Sequence, residues 1–272
     1  MPELPLDAAQ KPVRPNSRIF AHGRTVFALM LREMSTRYGR SPGGYIWAIL
    51  EPLGVIVMLT LAFSLMLRSP PLGNSFILFY ATGYLPFGMF ASTSNAIMTS
   101  LSYSKGLLRY PAVSWIDAIA ARAILSILTN ALVSFVLILA IVYATDSQLS
   151  FNLGTILLSY CLAMLIALGV GCVNCAIVGF FPIWGTAWGI FTRPLFLASG
   201  IIWLYRDIPK IAQDVLWWNP LAHVTAISRS GYFSFYSPQH VSVLYVVFFG
   251  LVLLPFGLLL LRRYYLDILS RI

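Results

Sequence analysis

The chain has 272 residues, of which 59% are hydrophobic and only 10% are charged. Because soluble domains carry roughly 25% charged residues, this composition excludes an ordinary water-soluble core and predicts an all-α polytopic membrane protein. The net charge of +9 is weak evidence for a nucleic-acid partner, since most basic residues flank apolar runs, where they orient membrane helices.

The first predicted element is an amphipathic helix within residues 17–44. Phe27 and Leu31 belong to an apolar face at helical spacing, and Arg32 belongs to the opposite, polar face. A helix of this kind lies along a membrane surface and does not cross the bilayer. Glycine and proline residues at its end break the helix and predict a hinge before the first span. A positively charged anchor preceding the first span is the alternative interpretation.

Six apolar runs follow within a transmembrane region at residues 45–272, and each reaches the roughly 20 residues that a helix needs to cross the hydrocarbon core. The predicted spans are 46–67, 76–98, 121–143, 154–181, 184–204 and 241–261. Small residues recur at every fourth position of the fourth span, which predicts close packing against another helix.

Three charged residues lie within these spans. Glu51 lies in the first span, and a lone carboxylate at membrane depth is costly, so we predict that it pairs with Arg122 at the start of the third span. Arg193 and Pro194 in the fifth span predict a broken helix that lines a polar path. The alternative is a misplaced boundary, with Arg193 extending to the membrane surface.

The distribution of lysine and arginine predicts that both termini are cytoplasmic, including a tail at residues 1–16. In this orientation the loop 104–115 is cytoplasmic and exposes Leu107 and Leu108 beside basic residues. Exposed apolar residues at a loop tip favour docking to a soluble partner, and a helix that lies on the surface is the alternative. On the opposite, periplasmic side of the membrane, the sequence of residues 205–240 predicts two short periplasmic or re-entrant helices.

The sequence lacks the residue patterns of several kinds of chemistry. It has no G-x-x-x-x-G-K-S/T pattern, so the chain is not expected to bind nucleotide phosphates itself. Its histidines are scattered, and Cys172 and Cys175 have no nearby ligand that would complete a metal site. One intramembrane acid disfavours proton-coupled transport. We therefore predict no enzyme activity, cofactor or metal in this chain, and any transport would draw its energy from a partner.

Three stretches resemble one family. LREMSTRYGRSPGGYIWAILEP resembles the N-terminal signature of type-2 ABC exporter permeases, especially their capsular polysaccharide (KpsM-like) branch. KGLLRYP is similar to the coupling helix of that family, and NPLAH followed by Arg229 is similar to its motif before the last span. The resemblance implies a homodimeric six-helix permease above two copies of a separate ATPase, which would hold ATP and Mg.

The same resemblance implies a substrate and further partners. It implies export of a lipid-linked, often acidic polysaccharide across the inner membrane of a Gram-negative bacterium, towards a periplasmic co-polymerase-type adaptor and an outer-membrane channel. Three alternatives are a permease of this fold for an O-antigen or teichoic-type polymer, one for a small lipid or drug, and a membrane scaffold or lipid-modifying enzyme. Clustered acids or histidines at one membrane face would favour the enzyme, and the sequence lacks them.

The resemblance and the residue types together predict three groups of site residues. Basic residues would bind an anionic headgroup, and aromatic rings would stack on sugars. For any single tryptophan, an ordinary position in the interfacial aromatic belt is the alternative. The predicted substrate path is Arg32, Arg37, Arg40, Tyr45, Trp47, Glu51, Trp184, Trp188, Arg193 and Trp203. The predicted ATPase-coupling loop is Lys105, Gly106, Leu107, Leu108, Arg109, Tyr110 and Pro111, and the predicted periplasmic gate is Trp217, Trp218, Asn219, Pro220, His223 and Arg229.

Overall fold

The computed structural model describes residues 15–38, 44–108, 113–145 and 151–271, without the side chains of residues 15–21, 37, 38 and 45. All regular elements within these ranges are helices. They are α1 (Pro15–Tyr38), α2 (Gly44–Ser64), α3 (Phe76–Met98), α4 (Ser100–Ser104), α5 (Trp115–Thr145), α6 (Leu153–Phe180), α7 (Trp184–Ala198), α8 (Lys210–Trp217), α9 (Pro220–Tyr232) and α10 (Val243–Arg271). A short 3₁₀ turn, Tyr205–Asp207, precedes α8.

Five helices are long and apolar enough to cross a membrane, namely α2, α3, α5, α6 and α10. They overlap the first four predicted spans and the last one. Both α5 and α10 are longer than the predicted apolar runs, because α5 begins with amphipathic turns and α10 continues through the basic tail to Arg271. The 31 residues of α5 reach about 46 Å, so its ends project beyond a hydrocarbon core of about 30 Å.

The fifth predicted span, 184–204, is the shorter helix α7. Its 15 residues reach about 22 Å, less than the hydrocarbon thickness. The predicted break at Arg193 and Pro194 is wrong, because α7 runs through both residues to Ala198. Proline removes one backbone donor, and apolar helices tolerate that loss through local adjustment. The chain instead turns at Gly200, whose φ of 68° is a left-handed conformation that glycine adopts without strain.

Helix α6 is the centre of the bundle and packs against α10 and α3. Small residues let the backbones approach closely. A Cβ placed on Gly257 of α10 would lie 2.7 Å from the Cβ of Cys172, and one on Gly179 of α6 would lie 2.5 Å from Ile268. This packing agrees with the small-residue pattern in the fourth predicted span.

Helix α9 lies in the core of the protein. Nearly all of its residues, including Arg229, are buried, and it packs against α3 and α6. The side-chain oxygen of Asn219 accepts a hydrogen bond from the N–H of Leu221 at 3.0 Å, and Pro220 occupies the first turn, so both residues define the start of the helix. In contrast, α8 has no buried residue. The segment 205–240 therefore contains both predicted short helices, one buried and one near the surface.

Candidate functional site

A polar groove lies between α2, α3 and α5 and encloses about 300 Å³. Trp47 and Glu51 of α2 line one side of it, and hydroxyl and amide side chains of α3 and α5 line the other. The polar residues on that second side are Tyr84, Ser92, Ser126, Thr129, Asn130 and Ser134. We call this feature the polar groove.

Hydrogen bonds organise the wall of the polar groove opposite Glu51. The amide of Asn130 donates to the carbonyl oxygen of Ser126 at 2.7 Å and also contacts the hydroxyl of Ser92. The hydroxyls of Thr93 and Ser126 lie 3.1 Å apart. The wall thus retains hydroxyl oxygens that can accept or donate, as polar ligands require.

Trp47 and Glu51 present exposed side chains at the polar groove, and Trp47 is 63% exposed. No ion-pair partner of Glu51 lies among the residues that the structure describes. The predicted pair with Arg122 is wrong. Arg122 lies one helical turn before Ser126 on α5, towards α1, and there it pairs with Glu33.

Of the other predicted path residues, those whose side chains the structure describes do not line the polar groove. On α7, the indole N–H of Trp184 donates to the side chain of Asn174 at 2.9 Å, Trp188 is half-buried and Arg193 is exposed. Trp203 follows α7 and lines a small cavity beside Arg229. The structure therefore brings Trp47 and Glu51 together and leaves the residues of α7 apart from them.

The basic residues predicted for the path belong to α1 and to the connection that follows it. Arg32 is exposed, and its guanidinium carbon lies 5.9 Å from the centre of the Tyr103 ring. The side chains of Arg37 and Tyr45, and residue Arg40 as a whole, lie outside the described part of the chain.

The Glu33–Arg122 cluster comprises Glu33, Thr36, Thr99, Tyr103 and Arg122. Nε of Arg122 lies 2.8 Å from Oε1 of Glu33, and the two side chains are only 10% and 7% exposed. Nη1 of Arg122 donates to the hydroxyl of Thr99 at 2.9 Å, and its guanidinium lies 4.5 Å from the Tyr103 ring centre. The Tyr103 hydroxyl is hydrogen-bonded to Thr36. Four elements, α1, the end of α3, α4 and α5, therefore meet at one buried charge pair.

A second contact also joins α1 to α5. Nδ1 of His22 lies 2.9 Å from Oδ1 of Asp117, and the His22 side chain is largely exposed. Asp117 also accepts a hydrogen bond from the backbone N–H of Ser114 at 3.1 Å, and the Ser114 hydroxyl accepts one from the N–H of Asp117 at 3.2 Å. This reciprocal cap defines the start of α5 immediately after the loop that was predicted to dock a partner.

That predicted coupling loop is described only as far as Leu108, so Arg109, Tyr110 and Pro111 lie outside the described residues. Gly106 is exposed, whereas Lys105, Leu107 and Leu108 are half-buried. Leu108 packs against an apolar cluster formed by α3, α5, α6 and α10. The two leucines are therefore less exposed than expected, because the turn that follows α4, in which both backbone N–H groups donate to the Ser104 carbonyl, folds the chain back onto the bundle.

The predicted gate residues form two connected arrangements, and the first is centred on Arg229. Arg229 is 2% exposed. Its Nη1 donates to the carbonyl oxygen of Gly200 at 2.6 Å, its Nη2 donates to that of Ile201 at 2.7 Å, and its guanidinium lies 4.0 Å from the centre of the Phe79 ring. We call this arrangement the Arg229 cradle. A Cβ on Gly83 would lie 2.7 Å from Nη2, so glycine leaves the space that the guanidinium occupies.

The second arrangement is an aromatic cluster of Trp217, Trp218, His223, His240 and Tyr245. The backbone N–H of Ser242 donates to Nδ1 of His223 at 3.2 Å, so Nε2 must carry the proton that is shared with the Trp217 carbonyl at 2.8 Å. Burial lowers the pKa of His223, which keeps this ring neutral. Both histidines lie outside the five apolar spans.

His240 stacks on Tyr205 with ring centres 3.8 Å apart. Burial, and then the nearby His223, lower the pKa of His240 to about 4. The indole N–H of Trp217 donates to the His240 carbonyl at 3.1 Å, and the Tyr245 hydroxyl donates to the Trp218 carbonyl at 2.6 Å. These two bonds join the end of α8 to the segment that enters α10 and to α10 itself.

The sequence did not lead us to predict that Glu33 of α1 contacts α5, or that Asp117 of α5 contacts α1. Glu33 is the only acidic residue in the α1 sequence, and a single acid in a basic helix is the signal that could have identified it. Asp117 follows Ser114 with the spacing of a helix cap, which a search for helix starts could have detected.

Comparison with known proteins gives a consistent result. The model of a family described as ABC-2 type transporter matches residues 24–233. The polysialic acid transport protein KpsM of Escherichia coli is 34% identical over 238 residues, which cover 88% of this chain and 92% of that protein. Two capsule polysaccharide export inner-membrane proteins, BexB of Haemophilus influenzae over 243 residues and CtrC of Neisseria meningitidis serogroup B over 242, are each 29% identical, with 89% of this chain and 91% of each relative covered.

Proposed function

Because this chain belongs to the ABC-2 type transporter family, we propose that it is the membrane subunit of an ATP-driven exporter of capsular polysaccharide in a bacterial inner membrane. The observation that carries this proposal is the similarity, over about nine-tenths of both chains, to proteins named for polysialic acid transport and capsule polysaccharide export. Five long apolar helices provide the membrane-embedded body that such a subunit needs. ATP and Mg would be bound by a separate ATPase subunit.

We propose six membrane crossings, with both termini in the cytoplasm and α1 on the cytoplasmic surface of the membrane. The fifth crossing would combine α7 with the turn at Gly200 and the residues up to Leu204. No residue of α7 is fully buried, and Ile190, Phe191 and Leu197 are exposed. An apolar helix with so little cover in one chain supports packing against a second copy, and hence a homodimer.

The polar groove is the proposed loading site for the lipid-linked polymer. Trp47 provides an exposed ring on which a sugar can stack, and Glu51 and Asn130 provide acceptors and donors for sugar hydroxyls. Arg32, at the surface of α1, would attract an anionic headgroup or an acidic polymer. The hypothesis that Trp184, Trp188, Arg193 and Trp203 continue the path through the dimer remains part of this proposal.

Further partners follow from the same proposal. The loop 104–115 would dock into the ATPase, and a periplasmic adaptor and an outer-membrane channel would receive the polymer. The short helices before α10 would form the periplasmic gate. The polar residues of the loop flanks and the half-buried Leu107 and Leu108 support docking of a protein with mixed polar and apolar character.

The function can be tested in the bacterium that encodes the chain. We expect deletion of the gene to abolish surface polysaccharide, and the tagged chain to co-purify with an ABC ATPase. Trp47→Ala should reduce surface polysaccharide without lowering the amount of membrane-inserted protein. Leu128→Ala is the matched control, because Leu128 is 57% exposed on α5 and does not line the polar groove. Normal surface polysaccharide in the deletion strain would refute the proposed function.

A further inference from the structure

We infer that the Glu33–Arg122 cluster is a mechanical link that makes α1 move together with the two flanks of the loop 104–115, so that a displacement of the loop by the ATPase reaches the polar groove. This inference rests on the proposed function, since it assumes that an ATPase docks on that loop. Glu33 and Arg122 are thereby positioning residues, because neither is placed in contact with the transported substrate.

The first step is that the link holds both flanks of the loop. Tyr103 belongs to α4, immediately before the loop, and Arg122 lies in the second turn of α5, immediately after it. Both contact α1, Tyr103 through the hydroxyl of Thr36 and Arg122 through the carboxylate of Glu33. A displacement of either flank therefore pulls on α1.

The second step is that the link lies directly at the end of the polar groove. Arg122, Ser126 and Asn130 are spaced four residues apart, so they share one face of α5 and follow one another along the helix axis at intervals of about 6 Å. Ser126 and Asn130 line the polar groove, and Arg122 donates a hydrogen bond to Thr99 just beyond the end of α3, the helix that forms the same wall together with α5. A movement at Arg122 is thus transmitted along the wall of the groove.

The third step concerns the nature of the bond. Glu33 and Arg122 are almost fully buried, and no other carboxylate pairs with Arg122 among the described residues. Separating them would leave two unpaired charges without water, which is strongly unfavourable. The pair therefore stays closed while the elements around it move. In contrast, the His22–Asp117 contact is exposed at its histidine and can adjust.

The experiment uses the complete complex of this chain with its ATPase. Glu33→Gln and Arg122→Gln each remove one charge, and the double variant Glu33→Arg with Arg122→Glu restores an ion pair of opposite orientation. Four quantities are measured: membrane-inserted protein, recovery of the ATPase with the chain, ATP hydrolysis and surface polysaccharide. Arg206→Gln is the control, because it breaks an ion pair whose side chains are 68% and 49% exposed.

We expect both single variants to insert and to retain the ATPase, with ATP hydrolysis continuing while export falls about tenfold, the effect of ~1.4 kcal/mol. The double variant should recover most of the export, and Arg206→Gln should behave as wild type. Selective loss of export with continued hydrolysis is a result that a purely structural pair would not produce.

Two results would overturn the inference. In the first, the double variant exports no more polysaccharide than the single variants, or it does not accumulate in the membrane. Either result would mean that the pair serves folding alone. In the second, ATP hydrolysis falls in step with export in the single variants. A wild-type chain that recovers no ATPase would instead contradict the proposed function, which separates that failure from a failure of the link.

Discussion

Among the residues that the structure describes, Arg122 and Arg229 are both largely buried at different sites, and their partners differ in kind. Arg122 is held by the side chains of Glu33, Thr99 and Tyr103, which come from three separate elements. Arg229 is held by the backbone carbonyls of Gly200 and Ile201 and by the face of Phe79. No carboxylate pairs with Arg229 among the described residues.

This difference indicates different mechanical roles. Flexible side chains can keep an ion pair closed while the helices that carry them shift, so the Glu33–Arg122 cluster suits a moving joint. Backbone carbonyls at a turn have fixed positions, so the Arg229 cradle suits a static one. Ser199 strengthens the static joint, because its carbonyl accepts a hydrogen bond from Thr225 at 2.6 Å.

The largest effect on stability is expected at Arg229. Lysine cannot reach the carbonyls of Gly200 and Ile201 with two parallel donors, so Arg229→Lys leaves buried acceptors unpaired. We expect a loss of about 3 kcal/mol and a Tm lower by about 10 °C, measured by thermal unfolding of the detergent-solubilised protein. The exposed residue Arg206 provides the control, and Arg206→Lys should not shift the Tm. An unchanged Tm in Arg229→Lys would show that the cradle contributes nothing to the static joint.

A smaller effect is expected from pH, because it acts on the aromatic cluster beside the Arg229 cradle. The pKa of His240 is about 4 in the folded protein and about 6.5 in an unfolded chain, so the unfolded chain takes up a proton first. The stabilisation from neutral His240 is thus complete above pH 6.5 and is lost as the pH falls from 6.5 towards 4.

The corresponding measurement is the Tm of wild type and of His240→Phe between pH 7.5 and pH 4.5. The wild-type Tm should fall more steeply than that of the variant, because phenylalanine does not titrate. Other groups titrate in both proteins, so the contribution of His240 is read from the difference between the two curves of Tm against pH. Parallel curves would mean that His240 is not held neutral by its surroundings.

The apolar pattern of the sequence was sufficient to predict the long helices. It was insufficient to predict which side chains contact one another. The apolar runs at 76–98 and 154–181 agree with α3 and α6 to within a residue, because a stretch that must be apolar on all sides has clear ends. The break at Pro194 was wrong, since proline alone does not decide where an apolar helix ends. Gly200, where the chain turns, carried no signal distinct from that of neighbouring glycines.

The pairing of charges was predictable only in part. Glu51 was predicted to need a basic partner because a lone carboxylate at membrane depth is costly, but Arg122, the residue proposed for it, pairs with Glu33 of α1. Arg229 was recognised from its motif, whereas its cradle was not predictable, because backbone carbonyls have no sequence signature. The side of the polar groove opposite Trp47 was missed as well, since serine and asparagine residues within apolar spans are easily read as helix-packing residues.

In this account the Glu33–Arg122 cluster transmits movement between α1 and α5, whereas the elements joined by the Arg229 cradle do not move relative to one another. The most direct test is pulsed electron paramagnetic resonance on the complex with its ATPase, with labelled copies diluted by unlabelled ones. One pair of spin labels, at the exposed positions Leu31 and Phe181, reports α1 relative to α6, and a second pair, at Leu197 and Phe235, spans the cradle.

We expect the distance between positions 31 and 181 to change when ATP is bound, and this change to disappear in Glu33→Gln and return in the charge-swapped double variant. The distance between positions 197 and 235 should stay constant throughout. An equal change at 31 and 181 in wild type and Glu33→Gln, or no change in wild type, would contradict the claim.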